Sequence, residues 1–316
     1  MFAVKTLHFD RQELAKWMKL TLVKGVGPKR LLQLSSHFGS IAEIFSAPAE
    51  KLLSSAILSP DMIKSFNQLK SASDENFASA IDFCSSNKIS IVTLVESDYP
   101  KRLLGISSPP STLYLWGDVS LLEAPRTFAI VGAREANETA LKFAYDSSRA
   151  LSEAGFTIVS GGAKGIDTQA HKGALDAGGK TIVVMGTGFS NFYPQENKER
   201  FETIREKGLL VSEHLPNFHG DRISFLQRNR ITSGLSDALL FCSSEGLSSG
   251  TATQVKIAHA QKKQIFCPAM GMNIAPNIGV QDAIVEYGAK PVSNANEILH
   301  AMGKIKQANS ISLQNY

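Results

Sequence analysis

Apolar residues in the first third of the chain recur every three or four positions, the period of an amphipathic helix. One series runs from Leu14 to Leu22 and the next from Leu31 to Phe38, with a tight turn at Gly25-Val26-Gly27-Pro28 between them. Further short helices are predicted over residues 41–45, 49–53, 60–70 and 74–86. The pattern therefore predicts a small all-helical domain over residues 1–86.

From Ile89 onward the pattern changes to short β-branched runs separated by helix-length segments. Strands are predicted over residues 89–95, 113–116, 128–131, 157–160, 181–185, 209–212, 238–241, 264–267 and 290–292, and helices over 139–154, 167–177, 198–207, 224–235, 251–260 and 280–287. Alternation of this kind with near-continuous apolar strands indicates an extended, Rossmann-like α/β domain, with a mostly parallel sheet and helices on both faces, over residues 87–303. The polar residues 304–316 are predicted to form a flexible tail.

Composition narrows the class of partner only slightly. The 316 residues include 33 basic and 29 acidic side chains, a mild positive excess that suits a polyanionic partner without requiring one. The three cysteines lack CxxC spacing and are predicted to be reduced. Charged residues interrupt the first 20 positions, and no apolar run reaches the roughly 18 residues of a membrane span. We expect a cytoplasmic protein with no membrane partner.

The glycine-rich segment after the predicted strand 157–160 is the best phosphate cradle in the chain. It reads Ser160-Gly161-Gly162-Ala163-Lys164-Gly165-Ile166-Asp167 and leads into a helix. Glycines at a helix N-terminus expose backbone amides to an anion, and a lysine adds a positive charge. Asp167 is predicted to cap the helix, and His171 is either a packed residue or a functional one.

Other strand ends carry similar residues, and ligands of parallel sheets lie beyond the carboxyl ends of the strands. The candidates are Gly132 and Arg134 after strand 128–131, Gly186, Gly188 and Phe192 after 181–185, Arg228, Asn229 and Arg230 after 209–212, and Ser249, Gly250 and Thr251 after 238–241. A ring at Phe192 or Tyr193 could stack on an unpaired base. One of the two arginines is expected to face the cleft, and the sequence leaves open which one.

Groups for catalysis are sparse. Asp167, Glu213 and Glu245 are the only carboxylates predicted near the cleft, and the histidines lack metal-ligand spacing. Neither a Gly-x-Ser-x-Gly elbow nor a Walker A loop is present. We therefore predict a binding protein rather than an enzyme, with no catalytic residue, cofactor or metal.

Several of these segments, in this order, resemble the DNA-processing protein A (DprA/Smf) family over roughly residues 90–300. They are residues 130–134, 160–167 with Ala170-His171, Tyr193-Pro194 with Asn197, Ser212-Glu213, Arg228-Asn229-Arg230 and Ser249-Gly250. The resemblance implies a homodimer that binds and protects single-stranded DNA and loads the RecA recombinase during natural transformation and recombination, without enzymatic activity. It also implies a positive wall of Arg134, Lys164, Arg228 and Arg230, and phosphate-holding amides at Gly161, Gly162 and Gly250.

The helical third is similar in position to the family's SAM-like domain. Lys24, Gly25, Gly27 and Lys29 also look like a helix-hairpin-helix whose turn offers amides to a DNA backbone, although the turn could equally just join two packed helices. Three positions depart from the family pattern, at Ala133, Ser243-Ser244 and Gln254-Val255.

Two alternative functions stay open. One is a nucleotide-binding or nucleotide-hydrolysing protein related to phosphoribohydrolases, whose signature is faintly echoed by Ser248-Ser249-Gly250-Thr251. The other is a DprA-like protein repurposed in phage defence or plasmid biology, since a surface for a recombinase has no readable motif.

Overall fold

The computed structural model describes residues 9–246 and 250–312, which divide into two compact units. The first unit contains the described residues of Met1–Trp116 together with Gly188–Asn191 and Ser212–His219. The second contains Gly117–Thr187, Phe192–Val211 and the described residues of Gly220–Tyr316. The change of unit along the chain falls at Trp116, whereas the sequence places the change of domain at residue 86.

The first unit consists mainly of helices followed by a strand pair. Its elements are α1 (Arg11–Thr21), α2 (Pro28–Phe38), α3 (Ile41–Ser46), α4 (Ala49–Ser54), α5 (Pro60–Lys70), α6 (Glu75–Ser86), β1 (Ser90–Thr93), α7 (Lys101–Leu104) and β2 (Thr112–Gly117). Strands β1 and β2 are antiparallel, with Ile91 opposite Tyr114. A capping box fixes the start of α1, because Asp10 accepts from the Glu13 amide while the Glu13 side chain accepts from the Asp10 amide.

A tryptophan joins the helices of this unit to its strand pair. Trp17 of α1 is fully buried, and its indole Nε1 donates to the Ser111 carbonyl and the Thr112 hydroxyl, both at 3.1 Å. A buried indole N–H needs such a partner. The helices and β2 therefore share one core, which explains why the unit continues past residue 86.

The second unit alternates strands with helices. After a 3₁₀ turn at Val119–Glu123 come β3 (Thr127–Val131), α8 (Glu138–Glu153), β4 (Thr157–Gly161), α9 (Ile166–Asp176), β5 (Thr181–Val184), a 3₁₀ turn at Gln195–Asn197, α10 (Lys198–Lys207), β6 (Leu209–Ser212), α11 (Arg222–Gln227), α12 (Asn229–Gly234), β7 (Ala238–Phe241), α13 (Gly250–Ala260), β8 (Gln264–Pro268), α14 (Ile278–Tyr287), β9 (Lys290–Val292) and α15 (Ala295–Ser312). The predicted helix 224–235 is thus two helices, α11 and α12, which meet at Arg228.

The strands of this unit form a parallel sheet in the order β6-β5-β4-β3-β7-β8-β9. From β3 the chain adds β4, β5 and β6 on one side, then crosses back to add β7, β8 and β9 on the other. The direction of winding therefore changes between β3 and β7. A crevice is expected beyond the carboxyl ends of these two strands.

Helices cover both faces of the sheet. Phe128 and Ile130 of β3 pack in one apolar core with Phe143 of α8, while Ala129 and Val131 pack in another with residues of α13 and α14. Alternate residues of one strand thus enter opposite cores, as the pleat requires. The Rossmann-like α/β class is confirmed.

The C-terminal helix extends beyond the predicted boundary of the tail. The backbone of α15 is helical as far as Ser312, whereas the sequence predicts a flexible segment from residue 304. The stretch 304–308 contains good helix formers and neither glycine nor proline, so nothing in it ends the helix. Among the described residues, no helix combines the length and apolarity of a membrane span.

Candidate functional site

A polar cleft of about 680 Å³ lies beyond the carboxyl end of β3, at the change in winding direction. The segment Val131–Glu135 forms one side, and the start of α9, the α11–α12 junction and the start of α13 form the rest. Its charged lining consists of Arg134, Arg222, Arg228, Glu135, Asp167 and Glu245, and its aromatic lining of Tyr193 and Phe225. The cleft lies wholly within the second unit.

The glycine-rich loop Gly161–Gly165 brings α9 to the cleft. Gly165 has φ +75° and ψ −123°, a conformation that side chains other than glycine strongly disfavour. A Cβ at this position would also collide with the carbonyls of Ala133 and Arg134. The residue before α9 is Gly165, so the prediction that Asp167 caps this helix is wrong.

Asp167 instead lies in the first turn of α9, where it is 5% exposed and lines the cleft. Its carboxylate accepts a hydrogen bond from the Ala163 amide at 3.3 Å. Burial raises the pKa of Asp167, while the nearby Arg228 guanidinium and the Ala163 amide act in the opposite direction. The floor of the cleft thus holds a buried carboxyl group beside a buried guanidinium group.

Arg228 carries this guanidinium group and occupies the junction of α11 and α12. It is 8% exposed, and its Nε is buried without a hydrogen-bond partner among the described residues. Its guanidinium lies so close to Gly161 that any Cβ there would collide with it. Burial lowers the pKa of Arg228, which the Asp167 carboxylate opposes.

The choice between the two arginines of this segment is therefore settled by geometry. Arg228 lines the cleft, whereas Arg230 does not, and the Arg230 side chain donates to the Gln227 carbonyl at 2.9 Å. The sequence groups Arg230 with the positive wall, and the structure removes it from there. Arg228 and Arg230 are two residues apart on a helical path, so their side chains point in different directions.

Hydrogen bonds tie α12 to the start of α13. The side-chain amide of Asn229 donates to the backbone carbonyl of Gly250 at 3.3 Å, and the side-chain amide of Gln254 donates to the backbone carbonyl of Asn229 at 3.0 Å. Gln254 is 2% exposed, so its departure from the family pattern adds a buried structural bond. Of the other residues predicted here, Ser249 lies outside the described residues, and only the backbone of Thr251 is described.

Arg134 lines the cleft, whereas Lys164 lines a second cavity that shares residues with it. Arg134 is exposed on the lining of the cleft, beside Gly132. Lys164 lines a smaller adjoining cavity of about 240 Å³ with Gly162 and Gly186. The Lys164 ammonium is 2.5 Å from the Glu196 carboxylate, which raises the pKa of Lys164.

The ring that faces the cleft is Tyr193 rather than Phe192. Phe192 is 9% exposed and packs on Phe201 at 5.5 Å between ring centroids, so it is a core residue. Tyr193 is 50% exposed, lines both cavities and lies 5.4 Å from the Phe225 ring. The expectation that Phe192 supports a base is corrected accordingly.

Ser160 lies beside Asp167, whose pKa its side chain helps to lower, and also joins two strands of the sheet, whereas Gly188 serves the fold instead of the cleft. The Ser160 hydroxyl donates to the Ile130 carbonyl at 2.6 Å, between two strands. Gly188 belongs to the first unit, where its amide donates to the Phe218 carbonyl at 2.8 Å. Its predicted role as a phosphate seat is not compatible with that bond.

A turn joins α1 to α2 at the segment for which the sequence suggests a helix-hairpin-helix. Gly25 has φ +88°, and Gly27 precedes α2 without a side-chain cap among the described residues. Lys24 and Lys29 are exposed beside it. The Arg30 guanidinium donates to the Gly25 carbonyl at 2.9 Å and so closes the turn.

Sequence reasoning missed part of the cleft lining. Arg222, Phe225 and Glu135 were not among the candidates, although Asp221 followed by Ser224 is a capping signal that places α11 at this point. The lining holds three arginines and three carboxylates, so the expected positive wall is in fact a balanced set of charges.

His171 is a packed residue under the glycine-rich loop. Its Nε2 donates to the Gly161 carbonyl at 2.7 Å, and its Nδ1 lies 2.7 Å from the Thr181 hydroxyl oxygen. Burial lowers the pKa of His171 to about 4. The ring thus holds the loop in place without carrying charge at neutral pH.

This burial makes stability depend on pH. The pKa of His171 is lower in the folded protein than the ordinary value of 6.5, so its contribution is complete above pH 6.5 and is lost as the pH falls toward 4. We expect wild type to lose about 2 kcal/mol more than His171→Gln between pH 7 and pH 5. Urea unfolding at both pH values measures this difference, and equal losses in the two proteins would contradict it.

The fold and the cleft define a Rossmann-like α/β protein with a polar site at the switch point of its sheet. The family model described as DNA recombination-mediator protein A matches residues 90–303. Protein Smf of Synechocystis sp. is 31% identical over 93% of this chain and 73% of its own, and DNA processing protein DprA of Bacillus subtilis is 30% identical over 68% and 71%. The chain therefore belongs to the DNA recombination-mediator protein A (DprA/Smf) family.

Solved structures agree with this assignment. The X-ray structure of DNA processing protein A from Streptococcus pneumoniae aligns with a TM-score of 0.74 and 26% identity, over 93% of this chain and 98% of that one. DNA processing protein A from Helicobacter pylori, whose structure was used to describe its single-stranded DNA binding mode, aligns with a TM-score of 0.62 and 29% identity, over 70% and 98%.

Proposed function

We propose that this protein binds single-stranded DNA in the cleft, protects it, and passes it to the RecA recombinase during natural transformation and recombination. The observation that carries the proposal is the Arg228 guanidinium, which lies against Gly161 on the lining of the open cleft although Arg228 is only 8% exposed. A guanidinium largely removed from water binds an anionic ligand such as a phosphate strongly, because little water competes for its donors. Membership of the family supports DNA as the source of that ligand.

The phosphate contacts proposed are the guanidinium groups of Arg134 and Arg228, the Lys164 ammonium and the backbone of the loop Gly161–Gly165. This loop precedes α9, whose N-terminus carries partial positive charge and is not capped by a side chain among the described residues. Tyr193 is half exposed on the same lining and offers a face on which a base can stack. Together these groups suit a backbone with one unpaired base.

The remaining parts of the proposal concern partners. We propose RecA as the recipient and a homodimer on the basis of the family resemblance, and a cytoplasmic location and a purely binding role on the sequence features described above. For the first unit we propose a second DNA contact at Lys24, Gly25, Gly27 and Lys29, where the turn before α2 leaves backbone amides beside two exposed lysines.

A binding assay with single-stranded and double-stranded oligonucleotides of matched length tests the central claim. We expect tighter binding of the single strand, with affinity falling roughly 20-fold between 50 and 200 mM salt if about three phosphates are neutralised. Equal affinity for both forms, or no dependence on salt, would refute it. Incubation with nucleoside monophosphates tests the alternative, because release of free base over many turnovers would show an enzyme.

Because Glu196 forms an ion pair with Lys164, replacing Glu196 is expected to raise the affinity for single-stranded DNA. Glu196 competes with DNA for Lys164, and both side chains are more than half exposed, so the effect is modest. We expect Glu196→Gln to bind single-stranded DNA about three times more tightly. The matched control is Glu199→Gln, which removes the same charge one helical turn away on α10. Equal gains in both variants would indicate net charge rather than release of Lys164.

A further inference from the structure

The charges lining the cleft are balanced, which is unexpected for a site that holds a polyanion. Three guanidinium groups, Arg134, Arg222 and Arg228, face three carboxyl groups, Glu135, Asp167 and Glu245. A site selected only for attraction to phosphate would omit the carboxyl groups. Their presence limits how much negative charge the cleft can accept.

The charged residues at the floor of the cleft are buried, whereas those at its rim are exposed to solvent. Asp167 and Arg228 are buried at the floor, at 5% and 8% exposure, while Arg134, Arg222, Glu135 and Glu245 are exposed at the rim. Charges at the floor are screened little by salt, whereas those at the rim are screened strongly. The charge of a ligand therefore matters most where it meets Arg228 beside Asp167.

A phosphate in DNA carries one negative charge when it links two nucleosides, but a terminal phosphate monoester approaches two near pH 7, because its second ionisation occurs near pH 6. The extra charge would have to sit beside the Asp167 carboxyl group. Asp167 is only 5% exposed, so a further negative charge beside it would be poorly solvated, and burial raises the pKa of Asp167 itself. The single positive charge of Arg228 does not offset the two negative charges of a phosphate monoester in addition to that of Asp167.

We propose that the cleft selects an internal phosphodiester, with a single negative charge, over a terminal phosphate monoester, and that Asp167 is the residue which sets this selection. The proposal rests on the proposed function, since it concerns the same cleft. The protein would thus hold the interior of a strand rather than its phosphorylated end, and a free nucleoside monophosphate would be a poor ligand.

Two small ligands that differ by one methyl group test this directly. Thymidine 5′-monophosphate and its monomethyl ester share base and sugar but differ by about one charge at pH 7.5. Each is used to displace a labelled single-stranded oligonucleotide from the full chain. We expect the methyl ester to compete at a three- to tenfold lower concentration.

Variants then assign the selection to the carboxyl groups. Asp167→Asn should bring the two ligands to within about twofold of each other, mainly by improving the monoester. Because Asp167 is buried and its replacement could disturb folding, the exposed pair Glu135→Gln with Glu245→Gln provides a second test and should narrow the ratio by a smaller factor. Glu199→Gln, outside the cleft lining, should leave the ratio unchanged.

The outcomes separate the two proposals. If the chain binds the oligonucleotide but the monoester competes equally or better, the selection is refuted and DNA binding stands. The same holds if neither small ligand competes while the oligonucleotide binds, since the cleft then does not recognise a single phosphate. If the oligonucleotide itself does not bind, the proposed function fails.

Discussion

Replacing Arg228 with alanine is expected to weaken binding of single-stranded DNA by roughly 50-fold, the largest effect of any single change in the cleft. A charged hydrogen-bonding group at a buried site contributes about 1.5–3 kcal/mol, and each 1.4 kcal/mol is a factor of ten in affinity. Arg228 is 8% exposed and lines both the main cleft and the adjoining cavity. Fluorescence anisotropy with a labelled oligonucleotide at fixed salt measures the loss.

The matched control is Arg230→Ala, which removes the same charge two residues away but outside the cleft lining. Its affinity should stay within about threefold of wild type. Thermal unfolding of both variants shows whether the fold is retained, since removing Arg228 also leaves Asp167 buried without its cationic neighbour. Similar losses in the two variants would mean that net charge, rather than the cleft, determines binding.

Replacing Gly165 with alanine is expected to lower the free energy of unfolding by about 4 kcal/mol, the largest effect on stability. The residue has φ +75° and ψ −123°, and a Cβ would collide with backbone atoms of Ala133 and Arg134 that cannot move independently of the sheet. The midpoint of urea unfolding, measured with the wild type in parallel, gives the change.

Gly178 provides the comparison for this variant. It also has positive φ, at +66°, but a Cβ there would meet nothing within 4 Å. Gly178→Ala should therefore cost about 1 kcal/mol, the backbone strain alone. If the two substitutions cost the same, the close approach of Gly165 to the β3 segment contributes nothing to stability.

Much of the fold was predictable because a parallel sheet has a strong local signature. Strands such as Thr127–Val131 are buried on both faces and are therefore apolar throughout, and the helices between them keep their own period. The rule that ligands lie beyond the carboxyl ends of strands then located the cleft at Gly132 and Arg134. Neither inference required knowledge of distant contacts.

What could not be predicted depends on such contacts. Arg228 and Arg230 have the same chemistry, and only the junction of α11 and α12 determines that Arg228 turns toward Gly161. Phe192 and Tyr193 are adjacent aromatic residues, and packing on Phe201 buries the first. The extent of the first unit depends on Trp17 meeting Thr112, a contact across most of that unit's sequence.

The contact between Gly161 and Arg228 has a consequence for engineering this protein. The two positions are far apart in the chain, yet the space of a side chain at one is filled by the guanidinium of the other. A larger residue at position 161 requires a shorter residue at position 228, because it would otherwise displace the Arg228 guanidinium from the cleft. The loop and the helix junction should therefore be redesigned as a pair.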